Sequence, residues 1–173
     1  KGLLKAAIRD NDPVIFLEHK KTYRLVKGQV PTEEYTVPIG KADVKLEGED
    51  ITIVTYGLML HHCVEAARIV KENNISVEVI DLRTLRPIDH KTLVTSVMKT
   101  GKVLIVHEDT QALGIGAEVS AILAEEVFDY LDAPIRRLAG PEVPAMPFSP
   151  TLEGEFMIVS QDIVNALAHL SEY

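Results

Sequence analysis

Arg83 and Arg86 stand three residues apart, directly after the apolar run "VEVID". Two guanidinium groups at the end of a strand can grip a carboxylate or a phosphate through paired hydrogen bonds. They can equally pair with the flanking carboxylates of Asp81 and Asp89, or with acidic groups of a partner subunit. The sequence favours a structural or interface role for the two arginines and leaves the anion site open.

A second group of titratable residues, His107, Glu108 and Asp109, follows the apolar run "KVLIV". Such residues could in principle bind a metal ion or act as an acid–base pair. Three consecutive side chains cannot all converge on one ion, however, and no second cluster of metal ligands is evident in the sequence. We therefore do not predict a metal site here.

The glycine-rich stretch "GIGAE" (Gly114 to Glu118) follows a predicted strand and opens a predicted helix. A dinucleotide-binding loop needs a third glycine in register and an acidic residue about 20 positions later, and both are missing. A tight turn with close helix–sheet packing is the favoured interpretation. Cys63 lies in the middle of a predicted helix, where a core role is favoured over that of a nucleophile. The residues predict no catalytic constellation.

Composition narrows the classes of function. The chain has 173 residues, 46% of them hydrophobic, and 18 basic against 26 acidic residues give a net charge of -8. This balance argues against nucleic acid as the main partner. No apolar run approaches the roughly 20 residues of a membrane span. The single cysteine excludes an internal disulfide and fits a reducing compartment, either cytoplasm or an organelle matrix.

Apolar runs and helical periodicities alternate from about Asp50 onward. The predicted strands are "ITIVTYG", "SVEVIDL", "KVLIVHE" and "PIRRLAG". The predicted helices begin near Leu58, at Asp89 (N-cap, with Gly101 near the C-cap), near Gly116 and at Ser160, and the third carries the stripe Val119, Ile122, Leu123, Val127 and Tyr130. Strands that are apolar on both faces and alternate with helices predict a three-layer α/β/α, doubly wound fold with a mostly parallel sheet.

The N-terminal part follows a different pattern. Lys1 to Arg9 is helix-like, "VIFLEH" (Val14 to His19) is predicted to be a buried strand, and Lys20 to Pro38 has the character of a linker. A helix and a strand with nothing after them to complete a sheet indicate a cut made inside a larger chain.

Taken in order, these segments resemble the C-terminal half of the β-subunit of thiamine-diphosphate-dependent 2-oxoacid dehydrogenases, the E1 component. The resemblance covers essentially the whole chain, and "DLRTLRPID" and "KGLLKAAIRDNDPV" are its most specific motifs. Further matching stretches are "VPIGKADVKLEGEDITIVTYGLMLHHCVEAA", "VLIVHED" followed by "GAEVSA", and "APIRRLAGPEVPAMPF". One departure is the turn Ala112 to Glu118, where the family usually has Thr-Gly-Gly-aromatic-Gly-Ala-Glu.

The resemblance implies an α2β2 enzyme that decarboxylates a 2-oxoacid and transfers the acyl group to lipoyl-E2. In the family, the glutamate that activates thiamine diphosphate and a histidine near the substrate lie in the preceding domain. The α-subunit holds the diphosphate and Mg²⁺ through a Gly-Asp-Gly…Asn motif, which this sequence lacks. We therefore expect no catalytic, cofactor-binding or metal-binding residue within residues 1–173, and no activity from this part alone.

The same resemblance implies the domain organisation and the partners. Residues 1–36 would be a remnant of the pyrimidine-binding domain plus the linker, and residues 37–173 the transketolase-type C-terminal domain. The expected partners are the E1 α-subunit, a second β-subunit and the subunit-binding domain of the E2 acyltransferase. Interface candidates are Asp81, Arg83, Arg86 and Asp89, and candidates for E2 docking are Asp129, Asp132, Glu142 and the Tyr173 carboxylate.

Within the family, "HED" together with "LDAPIRRLAGPEVPAMPF" favours the branched-chain (2-oxoisovalerate) type over the pyruvate type. Two alternatives remain. The chain could be the equivalent domain of a transketolase or a deoxyxylulose-phosphate synthase, or a non-catalytic docking or anion-binding module that uses Arg83 and Arg86.

Overall fold

The computed structural model describes residues 1–173 and contains one five-stranded sheet. The strands lie in the order β1-β3-β2-β4-β5, and all neighbours are parallel except β1, which runs antiparallel to β3. Their bounds are β1 Asp43–Leu46, β2 Ile51–Thr55, β3 Val77–Asp81, β4 Val103–Thr110 and β5 Arg136–Gly140. The predicted three-layer, mostly parallel architecture is confirmed.

Helices cover both faces of the sheet. They are α1 Gly2–Arg9, α2 Thr22–Leu25, α3 Met59–Lys71, α4 His90–Thr100, α5 Ile115–Glu126, α6 Pro150–Phe156 and α7 Ser160–Ser171, with a 3₁₀ turn at Phe128–Tyr130. The larger apolar core joins one sheet face to α3 and α7, and the smaller core joins the other face to α4 and α5. No helix is both long enough and apolar enough to cross a membrane.

Strand β2 shows why the central strands are apolar throughout. All five of its residues are buried, and alternate side chains enter opposite cores. Ile51 and Ile53 belong to the larger core, whereas Val54 belongs to the smaller one. Thr52 faces α4, where its hydroxyl lies 2.8 Å from that of Thr100. A strand that is covered on both faces therefore needs apolar residues at odd and even positions alike.

Helix α4 has the two ends that the sequence predicts. The Asp89 carboxylate accepts hydrogen bonds from the backbone N–H of Thr92 at 3.3 Å and from its hydroxyl at 2.9 Å. Burial alone would raise the pKa of Asp89, but these bonds and one from the Ala42 N–H outweigh it and hold the pKa below its usual value. Gly101 ends the helix in the left-handed conformation at φ 68°.

Two details of the predicted elements are wrong. Val14 to His19 is neither a strand nor buried: it is exposed apart from the half-buried His19, and no neighbouring strand pairs with its backbone. Tyr130 does not belong to the buried stripe of α5, because the helix ends at Glu126 and Tyr130 lies half exposed in the 3₁₀ turn. The edge strand β1 and the helices α2 and α6 are elements that the sequence patterns did not predict.

Candidate functional site

The carboxyl ends of β2 and β4 form the topological switch point of the sheet. From β2 the chain crosses to β3 on one side, and it then returns to β4 on the other. Ligands of open α/β sheets usually bind in the crevice outside such a point. Here it is occupied by Tyr56, which follows β2, and by His107, Glu108 and Asp109 in the last half of β4.

The His107 ring fills this crevice itself. The residue is only 1% exposed, and its ring stacks on that of Tyr56 with 6.4 Å between centroids and 16° between planes. On the other side it lies against the first turn of α5. A Cβ atom on Gly114 would lie 2.8 Å from His107 Cε1, and one on Gly116 would lie 2.7 Å from Cδ2. No space for a ligand remains between the imidazole and the helix.

Both ring nitrogens of His107 are buried without a hydrogen-bond partner. Burial lowers the pKa of His107 below its ordinary value, and the charge of Arg137 acts in the same direction, while Asp109 opposes them. Burial also raises the pKa of the Tyr56 hydroxyl to about 12, with further contributions from Asp109 and Glu108. The crevice thus holds a neutral imidazole and a neutral phenol.

Glu108 and Asp109 have separate contacts. The Glu108 carboxylate lies 3.0 Å from Nε2 of His19, which belongs to the segment that precedes α2. Asp109 accepts a hydrogen bond from the backbone N–H of Thr110 at 2.8 Å. No group of three or more His, Cys, Asp or Glu side chains in the chain is placed to hold a metal ion.

Arg83 is held by acidic residues of two strands. Its guanidinium forms an ion pair with Asp43 of β1, and its backbone N–H donates to Asp81 Oδ1 at 3.1 Å. Arg83 adopts φ 56°, a left-handed conformation that is uncommon for a residue with a long side chain. Burial raises the pKa of Asp81, although the Arg83 N–H and the charges of Lys45 and Arg83 partly counter it.

Asp43 is the residue that the sequence analysis missed at this site. It lies directly opposite Asp81 in the antiparallel register of β1 and β3, so it could be identified only once β1 was placed.

Arg86 and Asp89, the other two residues of the predicted interface group, have different surroundings. Arg86 is exposed and has no ion pair, and only 4% of the Asp89 side chain is exposed because the residue caps α4.

An apolar groove of about 560 Å³ lies beside the start of β5. Its lining residues are Ala124, Phe128, Leu131, Asp132, Ala133, Pro134, Ile135 and Tyr173. Asp129 lies next to Phe128 in the 3₁₀ turn, and Arg136 donates a hydrogen bond to the Tyr173 hydroxyl at 3.3 Å. The structure therefore places Asp132 and Tyr173 in one groove and Asp129 in the adjoining 3₁₀ turn, whereas Glu142 follows the opposite end of β5.

A second cleft of about 350 Å³ separates residues 25–27 from the start of α3. The Ser160 hydroxyl, at the start of α7, donates to Glu65 at 2.5 Å and lies 3.1 Å from Nδ1 of His62. Because the hydroxyl hydrogen points at the carboxylate, Nδ1 of His62 must donate to Ser160. His62 consequently cannot activate this serine as a nucleophile, and the contact serves to join α3 to α7.

Comparison with curated proteins finds two informative relatives. The chain is 53% identical over 173 residues to the 2-oxoisovalerate dehydrogenase subunit beta of Bacillus subtilis (strain 168), and the match covers 100% of this chain and 53% of that protein. It is 48% identical over 175 residues to the mitochondrial pyruvate dehydrogenase E1 component subunit beta of Dictyostelium discoideum, with 99% and 49% covered. The chain thus spans about half the length of these relatives, and the resemblance to E1 β-subunits is confirmed.

A solved structure and a family model agree with this result. The structure described as a split-gene transketolase, an inactive β4 tetramer, superimposes with a TM-score of 0.72 and 28% identity, covering 84% of this chain and 46% of that one. Residues 40–163 match the family described as "Transketolase, C-terminal domain". The chain therefore belongs to the transketolase C-terminal domain family.

Proposed function

We propose that this chain is the C-terminal region of the β-subunit of a 2-oxoacid dehydrogenase E1 component, and that it serves subunit assembly and E2 docking. The observation that carries the proposal is the 53% identity, over every residue of the chain, to a subunit named 2-oxoisovalerate dehydrogenase subunit beta. A branched-chain 2-oxoacid as substrate of the whole enzyme is supported by the coverage of this match, which spans the whole chain, whereas pyruvate dehydrogenase subunits that are 50 to 52% identical match over 80 to 86% of it. The compartment would be bacterial cytoplasm or an organelle matrix, and one relative is named mitochondrial.

Members of this enzyme family depend on thiamine diphosphate, but the residues of this chain do not fit that cofactor. A bound diphosphate needs a Mg²⁺ ion with several oxygen ligands. No cluster of three acidic or histidine side chains is placed to supply them, and the larger groove is lined by six apolar residues out of eight. The cofactor would then be bound by the α-subunit and by the preceding half of the β-subunit.

The division of the chain at residues 36 and 37 belongs to the same proposal. Residues 1–36 carry large apolar side chains that are strongly exposed, among them Ile8, Ile15, Leu17 and Val30. Such a density of exposed apolar groups is typical of a segment that packs against another structural unit. We infer that residues 1–36 complete the pyrimidine-binding domain and the linker, while residues 37–173 form the C-terminal domain.

The groove beside β5 is the favoured surface for E2. It combines an apolar floor and the ring of Tyr173 with the exposed carboxylate of Asp132, and the exposed Asp129 lies in the adjoining 3₁₀ turn. A basic subunit-binding domain would match this surface in both charge and polarity. The E1 α-subunit and a second β-subunit would occupy other surfaces, and the loop of Arg83 and Arg86 is the candidate for one of those contacts.

The docking proposal is tested by titrating this chain with the isolated subunit-binding domain of E2 and, separately, with thiamine diphosphate plus Mg²⁺ in a calorimeter. We expect binding of the E2 domain and none of the cofactor. Asp129→Lys reverses a charge at the groove and should weaken E2 binding about tenfold, since each tenfold change corresponds to about 1.4 kcal/mol.

The matched control for this test is Asp12→Lys, which reverses an exposed charge in the N-terminal segment, far from the groove in sequence. It should leave E2 binding unchanged apart from a small effect of net charge. Tight binding of thiamine diphosphate by this chain would contradict the proposal, and so would equal E2 affinities of the wild type and the Asp129 variant.

A second test concerns the Arg83 loop. In a complete β-subunit that carries this sequence, Arg83→Ala removes the ion pair to Asp43 and should release the loop after β3. We expect a smaller fraction of α2β2 tetramer by native mass spectrometry, with an unchanged thiamine diphosphate affinity for the tetramer that remains. The loss of intrinsic stability should be only about 1 kcal/mol, because the pair is partly exposed.

Arg68→Ala is the control for Arg83→Ala, because Arg68 is an exposed arginine of α3 that forms no ion pair. It should assemble like the wild type. If the Arg83 variant remained fully assembled but lost affinity for the 2-oxoacid, the loop would be an anion-binding site and not an assembly contact.

A further inference from the structure

The crevice at the switch point contains a histidine, His107, whose surroundings accommodate the neutral imidazole but do not stabilise the protonated one. His107 is buried, and neither of its ring nitrogens makes a hydrogen bond of good geometry; the backbone of Asp109 is the one neighbouring acceptor that favours the protonated ring. Protonation would leave a positive charge, and at least one N–H donor, without a well-placed partner. A buried charge in such surroundings is strongly unfavourable, so the protonated ring must move toward solvent.

The charged groups around His107 do not remove this conflict. Arg137 of β5 opposes protonation, Asp109 favours it, and burial, which opposes it, is the largest effect on the pKa of His107. The ring of Tyr56, from the end of β2, stacks on the imidazole and has a hydroxyl whose pKa is raised to about 12, so it stays neutral. The first turn of α5 presents only the uncharged backbone of Gly114 and Gly116 on the remaining side.

Glu108 is the other nearby carboxylate, and it is engaged elsewhere. Its Oε2 atom lies 3.0 Å from Nε2 of His19. The Glu108 carboxylate is therefore engaged with His19 and forms no hydrogen bond with the ring of His107.

We propose that His107 is an acid-sensitive latch, which holds residues 111–116 against the carboxyl end of the sheet while it is neutral and releases them when it is protonated. The loop depends on few other contacts. Arg137 donates to the carbonyl of Gln111 at 2.8 Å, and the Thr110 hydroxyl donates to that of Ala112 at 2.9 Å. The His107 imidazole is the nearest side chain to both Gly114 and Gly116 at the start of α5, and Ile105 is the next one beside Gly116.

Release of residues 111–116 would change the solvent-exposed surface at the carboxyl end of the sheet. Leu113, at the tip of the loop, is fully exposed and has φ 60°, a left-handed conformation that costs free energy for a leucine. When the loop opens, Leu113 can leave this conformation, so the closed loop is poised to relax. The shape that this end of the sheet presents to a neighbouring subunit would then depend on pH.

The test combines histidine NMR with hydrogen exchange on this 173-residue chain. The Cε1–H resonance of His107 should titrate below the ordinary histidine value of about 6.5. Over the same pH range, the protection factors of the amides of residues 111–116, corrected for intrinsic exchange, should fall roughly tenfold or more. A titration of His107 at or above the ordinary value, or a loop whose protection does not change with pH, would overturn the proposal.

Variants on both sides of the contact between His107 and Gly116 distinguish a specific release of residues 111–116 from a general loss of stability in acid. His107→Phe keeps a flat apolar ring that cannot be protonated, so the loop should stay protected in acid. Gly116→Ala places a methyl group into the imidazole and should open the loop already at pH 7.5. His61→Gln, which changes an exposed histidine of α3 whose side chain makes no hydrogen bond or ion pair, should behave like the wild type.

The Gly116 variant also keeps the test decisive if His107→Phe fails to fold. In that case the latch requires that Gly116→Ala lose its loop protection at neutral pH while amides of the core strands remain protected. Full protection of residues 111–116 in that variant, or a pH response of the loop that persists in His107→Phe, would each show that His107 does not control the loop.

Discussion

An alanine at position 48 is expected to destabilise the domain by about 3 kcal/mol or more, a large share of the stability of a typical domain. Gly48 lies in the short connection between β1 and β2 and is buried against the start of β3. A Cβ atom there would overlap the backbone N of Glu78 and the carbonyl carbon of Val77, and would lie 2.6 Å from the Val77 oxygen. These atoms belong to a central strand and cannot rotate away as a side chain can.

The connection around Gly48 cannot shift outward without breaking other bonds. The Asp50 N–H donates to the carbonyl of Ser76 at 2.8 Å, and the Ser76 N–H donates to the Asp50 carboxylate at 2.7 Å. The Glu49 N–H donates to the Ser76 hydroxyl at 3.1 Å. Relief of the overlap would therefore cost either these hydrogen bonds or the pairing of β2 with β3.

Urea unfolding followed by far-ultraviolet circular dichroism measures this effect. Gly28→Ala is the matched control, since a Cβ atom on Gly28 would have no neighbour within 4 Å and the backbone there has no left-handed φ. Its free energy of unfolding should stay within about 0.5 kcal/mol of the wild type. If Gly48→Ala were as stable as Gly28→Ala, the close approach of the two backbones would not exist in solution.

Gly48 also illustrates what the sequence could and could not predict. The four parallel strands were predictable because their apolar runs are long and alternate with helices. The edge strand β1 was not, because its four residues "DVKL" are short, partly polar and only half buried. The crowding at Gly48 and the pairing of Arg83 with Asp43 both depend on β1, so neither could be inferred from spacing along the chain.

The arrangement of the candidate surfaces could not be predicted from the sequence either. The family resemblance implies Asp129, Asp132, Glu142 and Tyr173 as candidates for E2 docking. That Asp132 and Tyr173 line one apolar groove while Glu142 lies at the other end of β5 follows from the strand direction and from the position of α7. The neutral state of His107 was equally inaccessible, because it results from the glycines of α5 and the ring of Tyr56, which only the fold brings together.

The second large effect is expected from Lys99→Met, which should cost about 3 kcal/mol at neutral pH. Lys99 of α4 forms an ion pair with Glu78 of β3, whose side chain is only 2% exposed. Burial alone would raise the pKa of Glu78, but hydrogen bonds from Lys99 and Ser96 outweigh it and hold the pKa below its usual value. Methionine keeps the apolar stem of lysine and leaves the carboxylate buried without its cation. The expected loss of stability is at the low end of the range for breaking a buried ion pair, because Lys99 itself is partly exposed.

Controls for Lys99→Met separate the lost ion pair from a change of packing. Lys91→Met replaces an exposed lysine of the same helix that forms no ion pair, so its effect should stay within about 0.5 kcal/mol. In the double variant Glu78→Gln with Lys99→Met, the buried charge is gone and most of the lost stability should return. A double variant as unstable as Lys99→Met would mean that the stem of Lys99, and not the charge of Glu78, determines the effect.

The effect of Lys99→Met on the free energy of unfolding depends on pH, and its direction follows from how the pKa of Glu78 shifts on folding. In the wild type the pKa of Glu78 is lowered on folding, so this pair stabilises the fold above the unfolded pKa of about 4.3 and loses its effect as pH falls through the folded pKa. In the variant, burial without Lys99 raises the pKa of Glu78 above its unfolded value. The folded state then binds the proton more tightly, and the penalty shrinks as pH falls through the raised pKa. The difference in unfolding free energy between variant and wild type should therefore narrow from pH 7.5 to pH 4.5, and a difference independent of pH would refute a buried, unpaired carboxylate.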